Sequence, residues 1–137
     1  MPAKPRLVIP DRVRRALVRH ANRERPRECC GFLVGAAARA AFAVPMRNLA
    51  EGRSRYQIDP AAHIDLRRVL RQFDPPLTII GVYHSHPRGE GTPSPTDISE
   101  AMYSSWFYVI VGFGRGPRVR AFRISKQRAR ELTISPR

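Results

Sequence analysis

The run Leu77-Thr78-Ile79-Ile80-Gly81-Val82-Tyr83 carries a single polar residue and no alternation, the pattern of a strand buried on both faces. Glu28 to Val34 reads the same way. A small-residue turn near Gly35 joins it to a second strand, Ala40 to Met46, as a hairpin. Trp106 to Val111 and Arg118 to Ile124 predict two more strands, joined by the turn Gly112–Pro117. Tyr56-Gln57-Ile58 predicts a short additional strand, and Leu7-Val8-Ile9-Pro10 is a short apolar lead-in. Between these runs the period changes to helical. Asp11 precedes Val13, Ala16, Leu17, His20 and Ala21 at helical spacing, with arginines opposite. His20 lies on the apolar side and is read as a packed histidine. Asp59-Pro60 starts a second helix, with a capping carboxylate and proline in the first turn. Its apolar stripe is Ala62, Leu66, Val69, Leu70 and Phe73, which leaves His63 on the surface, and Asp74-Pro75-Pro76 stops it. A third helix is predicted from Pro95 to about Ser104. The chain from Ser125 onward predicts no element.

Composition narrows the class. With 137 residues, 42% of them hydrophobic, the chain reads as one domain, residues 1–137, with a core of its own. Met1 to Pro5 lead into no signal-like stretch, and no apolar run approaches the roughly 18–20 residues of a membrane span. The two cysteines, Cys29 and Cys30, are adjacent and have no other partner in the chain, so a reducing cytoplasm is expected. The formal net charge is +14. Such a charge attracts nucleic acid, anionic membranes or acidic proteins. Apart from Lys4 and Lys126 every strongly basic side chain is arginine, a skew that a GC-rich genome would produce. The arginines are scattered, without aromatic interleaving or a nucleic-acid-binding signature. An acidic protein partner is therefore favoured over nucleic acid, and no membrane partner is expected.

The chemistry concentrates at His84-Ser85-His86-Pro87 and Ser94-Pro95-Thr96-Asp97. Positions i and i+2 of a strand share a face about 7 Å apart, so two imidazoles can converge on one ion. Asp97 would be a third ligand, leaving a fourth position for water, as a catalytic zinc requires. Ser94 and Asp97 also have the spacing of a helix capping box, a purely structural alternative. Glu28 could be an ion-pair partner among arginines. Cys29 and Cys30 read as packing residues rather than nucleophiles.

Pro26-Arg27-Glu28-Cys29-Cys30-Gly31, then His84-Ser85-His86-Pro87, then Pro93-Ser94-Pro95-Thr96-Asp97 resemble the JAMM (MPN-plus) zinc metallopeptidases of the compact prokaryotic type. That family's pattern is a glutamate in a P-x-E-x-C-G-like stretch, then H-[ST]-H-P, then P-S-x-x-D. The likeness spans about residues 7–124, with softer matches at Asn48 and Tyr56–Pro60. It implies an α/β fold: a single-domain three-layer sandwich, a mixed central β-sheet flanked by helices, as in cytidine deaminases. It implies one Zn2+ per chain on His84, His86 and Asp97. Glu28 would be the general base toward a zinc-activated water, Ser94 a hydrogen-bond donor to the water or oxyanion, and Ser85 an orienting residue. The implied activity is hydrolysis of a peptide or isopeptide bond after the C-terminal tail of a ubiquitin-like or sulfur-carrier protein. A phage-tail-type protein substrate and a non-catalytic scaffold of the same family are the alternatives. A zinc nucleoside deaminase is disfavoured, since the chain has no C-x-x-C; H-E-x-x-H is absent too.

Overall fold

The computed structural model describes residues 5–137. Residues 1–4, part of the stretch read for a leader, lie outside the described residues. The elements run β1 (Arg6–Val8), α1 (Asp11–Glu24), β2 (Cys30–Ala36), β3 (Arg39–Met46), α2 (Pro60–Leu70), β4 (Thr78–His86), α3 (Pro95–Glu100), β5 (Phe107–Gly112), β6 (Arg118–Ser125) and β7 (Arg128–Ser135). The sheet order is β1-β3-β2-β4-β5-β6-β7. The sheet is mixed: β4 and β5 run parallel, as do both pairings of β1, and the others are antiparallel. What an open layered sheet does not foresee is its closure. β1 pairs with β3 at Val8 and with β7 along Arg6–Val8, so the strands form a ring.

Strand alternation divides the core in two. Leu33, Tyr83, Val109 and Val111 pack with Val13, Leu17 and Ala21 of α1. Phe32, Val34, Val82, Tyr108 and Ile110 face the other way, with Leu66 and Leu70 of α2 and Ile98 of α3. The period-2 rule carries the second face along β4 to His84 and His86, and the first to Ser85. Ser85 is fully buried, and its hydroxyl accepts the Cys29 N–H at 2.8 Å, joining the ends of β2 and β4. Tyr83, just before, reaches α1: its hydroxyl lies 2.7 Å from His20 Nδ1. A Cβ at Gly31 would stand 2.6 Å from the Tyr83 ring, so glycine is what admits that ring. His20 is packed, as its place on the apolar stripe implies, and burial lowers its pKa.

Several local expectations fail for identifiable reasons. The chain after Ser125 is β7, not patternless. Leu132 is its only fully buried side chain, which hides the period. The turn leading to it places Lys126 and Gln127 at φ 50 and 62, the primed hairpin geometry usually marked by Asn or Gly. Tyr56–Ile58 joins no sheet: Asn48 Oδ1 takes the Gln57 N–H at 3.0 Å, and the Gln57 carbonyl accepts from the Leu49 N–H at 2.9 Å. α3 stops at Glu100, short of Ser104. The Tyr108 hydroxyl there binds both the N–H and the carbonyl of Tyr103, drawing the backbone away from helical pairing. On α2 only Leu70 is buried and Val69 is exposed; the helix ends at Leu70, so Phe73 lies past it, also exposed. His63 is half-buried instead of on the surface, its ring 4.8 Å from Phe32 and 5.8 Å from Trp106. Among the described residues no helix is long and apolar enough to cross a membrane.

Candidate metal centre

β4 ends in His84 and His86, and α3 begins two prolines later at the Ser94 cap. The capping box is present: the Asp97 N–H donates to Ser94 Oγ at 3.0 Å, and the Ser94 N–H donates to Asp97 Oδ2 at 2.9 Å. The structural alternative is therefore real. It also aims the acid: the same Asp97 Oδ2 faces both imidazoles.

The three ligand atoms form a nearly equilateral triangle. His84 Nε2 and His86 Nε2 are 3.1 Å apart, and Asp97 Oδ2 is 3.2 Å from the first and 3.1 Å from the second. A tetrahedral ion with bonds of about 2.05 Å needs ligand atoms about 3.3 Å apart. The triangle fits that requirement without rearrangement, and two imidazoles with a carboxylate are a donor set that zinc favours. His86 Nδ1 lies 3.0 Å from the Glu90 carbonyl, which can only accept. With a proton on Nδ1 donated to that carbonyl, Nε2 would be the nitrogen offered to an ion, as ligation demands. Tyr56 stacks on the His84 ring at 4.5 Å and 21°.

Electrostatics separates the roles of these groups. Burial lowers the His84 pKa and outweighs its bond to Asp97. Burial opposes protonation of His86 too, but Asp97, the Glu90 carbonyl and Glu28 together raise its pKa. Asp97 is held far below the usual carboxylate range: burial alone would raise it, and the hydrogen bonds from His84 and His86 overcome that. Glu28 precedes β2 on the Cys30 side of the strand, and Cys30 pairs with His84. It is 7% exposed. Burial pushes its carboxyl up to about 7; His86 pulls it down and Asp97 pushes it up. Cys29 and Cys30 are buried free thiols pushed to about 11 and about 12, chiefly by burial, so neither is a thiolate at neutral pH.

The sequence undervalued Asn48. Its amide nitrogen donates to the Glu28 and Arg55 carbonyls, and its oxygen accepts from Ala50 and Gln57 N–H groups. It thereby fixes a ridge between two concavities. A cavity of about 530 Å³ includes Glu28, Glu24 and Arg47 in its wall. A groove of about 740 Å³ runs past Tyr56, Ile58 and Met102.

The shift of Glu28 has a measurable consequence in chelated, metal-free protein. Its folded pKa, about 7, exceeds the ordinary 4.5. Between those values the folded state binds more protons than the unfolded, so stability falls as pH rises through the window. Glu28→Gln removes that loss. We predict that it stabilises the metal-free protein by about 3 kcal/mol above pH 7, and that the gain vanishes near pH 4.5. Urea unfolding of both proteins in chelator across this range is the check; a pH-independent difference refutes it.

A family model described as prokaryotic homologs of the JAB domain matches residues 10–125. The CysO-cysteine peptidase of Mycobacterium tuberculosis is 33% identical over 123 residues, covering 86% of this chain and 82% of that protein. The desampylase of Haloferax volcanii is 29% identical over 137 residues, covering 95% and 96%. A probable TtuB-protein conjugate cleaving protease of Thermus thermophilus is 32% identical over 116 residues, covering 84% and 74%. Two solved structures share the fold. One is a Desulfitobacterium hafniense protein, with TM-score 0.84 and 24% identity, covering 94% of this chain and 91% of that one. The other is a JAB1/MPN domain protein from Archaeoglobus fulgidus, with TM-score 0.61 and 14% identity, covering 98% and 100%. The chain belongs to the prokaryotic JAB/MPN family, of JAMM type.

Proposed function

We propose that this protein is a zinc-dependent peptidase that cuts the amide bond after the C-terminal tail of a ubiquitin-like or sulfur-carrier protein. The observation that carries the reading is the triangle of His84 Nε2, His86 Nε2 and Asp97 Oδ2 beside a buried, proton-accepting Glu28. The relatives' names, a CysO-cysteine peptidase, a desampylase and a TtuB-conjugate protease, support the reaction and the substrate class.

His84, His86 and Asp97 would hold the zinc. When bound, zinc lowers the pKa of water and polarises the scissile carbonyl. Glu28 takes a proton from the attacking water as the new C–O bond forms, then passes it to the leaving nitrogen as the C–N bond breaks, giving a carboxylate and an amine. Ser94 Oγ already accepts the Asp97 N–H, which leaves its own hydrogen to donate to the developing oxyanion. The substrate tail has a place to lie. The backbone groups of Tyr56 and Ile58 have no hydrogen-bond partner among the described residues. A narrow tail can pair there as an added strand, ending at His84. The cytoplasm is the proposed compartment, on the unpaired Cys29 and Cys30.

The test is to mix zinc-loaded protein with a sulfur carrier from the same genome bearing a C-terminal extension, and to read intact masses. Cleavage after the carrier's terminal residue, abolished by chelator, is the expected result. An acidic carrier would be steered by the +14 charge, so kcat/KM should fall as salt rises. No cleavage by a protein binding zinc one to one would remove this substrate class; a flat salt response would remove the steering.

A further inference from the structure

The loop between β4 and α3 holds the carbonyl that fixes His86, and the loop itself is clamped from the far side of the sheet. His86 and Gly112 are register partners on β4 and β5. A Cβ at Gly112 would stand 2.3 Å from Gly91 N and 2.8 Å from the Glu90 carbonyl carbon, so any side chain there displaces the backbone that carries the Glu90 oxygen. The Phe113 N–H donates to the Gly89 carbonyl at 2.8 Å. Farther along, Arg120 reaches from β6 to Thr92 Oγ1 at 3.1 Å, and Glu131 holds its guanidinium with two bonds of 2.8 Å. On the opposite flank Arg25 lies over the Phe113 ring at 4.4 Å and donates to the Pro87 carbonyl at 3.3 Å. Gly89 is different: a Cβ there meets nothing within 4 Å. The loop's glycines are thus not equivalent, and Gly89 and Gly91 sit in a segment tied at both ends.

We propose that Gly112 and Arg120 are positioning residues of the metal centre, holding the Glu90 carbonyl against His86 Nδ1 so that Nε2 is presented to the ion. Neither touches the ligand triangle. They act through the Glu90 carbonyl, and outer partners of metal-bound histidine are typically worth about 10–100-fold in affinity. The inference rests on the metal centre proposed above and is independent of the substrate.

The experiment measures zinc affinity by competition with a chromophoric chelator, for the parent, Gly112→Ala, Arg120→Met and Gly89→Ala. Gly112→Ala should bind zinc about 10–100-fold more weakly. Arg120→Met should bind more weakly than the parent, and Gly89→Ala as tightly as the parent. Nitrogen-15 spectra of the zinc-loaded proteins should show the His86 Nδ1–H proton held and slow to exchange in the parent and Gly89→Ala, and fast-exchanging in Gly112→Ala. If Gly112→Ala does not fold, Arg120→Met and Thr92→Val carry the same test by removing the outer tie. Folded variants that match the parent in affinity and in the His86 Nδ1–H signal overturn the proposal, as does Gly89→Ala losing as much as Gly112→Ala. A parent that binds no zinc overturns the metal centre itself, a different and separable failure.

Discussion

Glu28→Gln should abolish cleavage while leaving zinc bound one to one. Glutamine keeps the shape and most of the hydrogen bonding of the side chain but cannot take a proton from water. His84, His86 and Asp97 are untouched, and Asn48 binds the backbone carbonyl of residue 28, which the substitution retains. General-base removal typically costs about 10²–10⁴ in rate. A loss of that size in kcat, with metal content and KM near the parent's, assigns the proton transfer to Glu28. A variant retaining more than a tenth of the parent's kcat would take Glu28 out of the chemistry. A variant that loses its zinc would make Glu28 a support of the metal site instead.

Asp97→Ala should lose both the metal and part of the helix start. Asp97 accepts the Ser94 N–H, carries the negative charge that faces two imidazoles, and in the proposed centre would supply the third ligand atom. Zinc content should fall from one per chain to none after dialysis, and activity to background. The lost cap should cost about 1 kcal/mol of stability in the metal-free protein. Asp97→Asn separates these losses, because an amide oxygen can still accept from the Ser94 N–H but brings no charge. It should recover the stability and not the metal. An Asp97→Ala protein that purifies with stoichiometric zinc would favour the scaffold alternative or a different ligand set.

Both predictions bear on residues that the sequence displays openly, and the reason is local. His84 and His86 lie two apart at the end of an apolar run, so strand alternation alone puts them on one face. Ser94 and Asp97 have capping-box spacing, so one turn of helix fixes their relation. In both cases the deciding interactions lie within a few residues, and periodicity reports them. Glu28, two residues ahead of β2, reaches the same face only through the pairing of Cys30 with His84 across β2 and β4.

Other features depend on partners that no local pattern can name. The ring closes only because β7 lies beside β1, and β7 shows too little buried surface to announce itself. Tyr56 has the composition of a strand, yet Asn48 captures its neighbour's N–H and the ring stacks on His84 instead. His63 falls off the helical stripe but finds Phe32 and Trp106 across the sheet. The sequence by itself determined the types and order of the candidate ligands and the strand and helix that carry them, because these follow from alternation and capping. Only the tertiary structure decided that the Glu90 carbonyl meets His86 Nδ1 and that Nε2 faces Asp97 and His84. That depends on the approach of Gly112 to Gly91, and close packing between distant segments leaves no periodic trace along the chain.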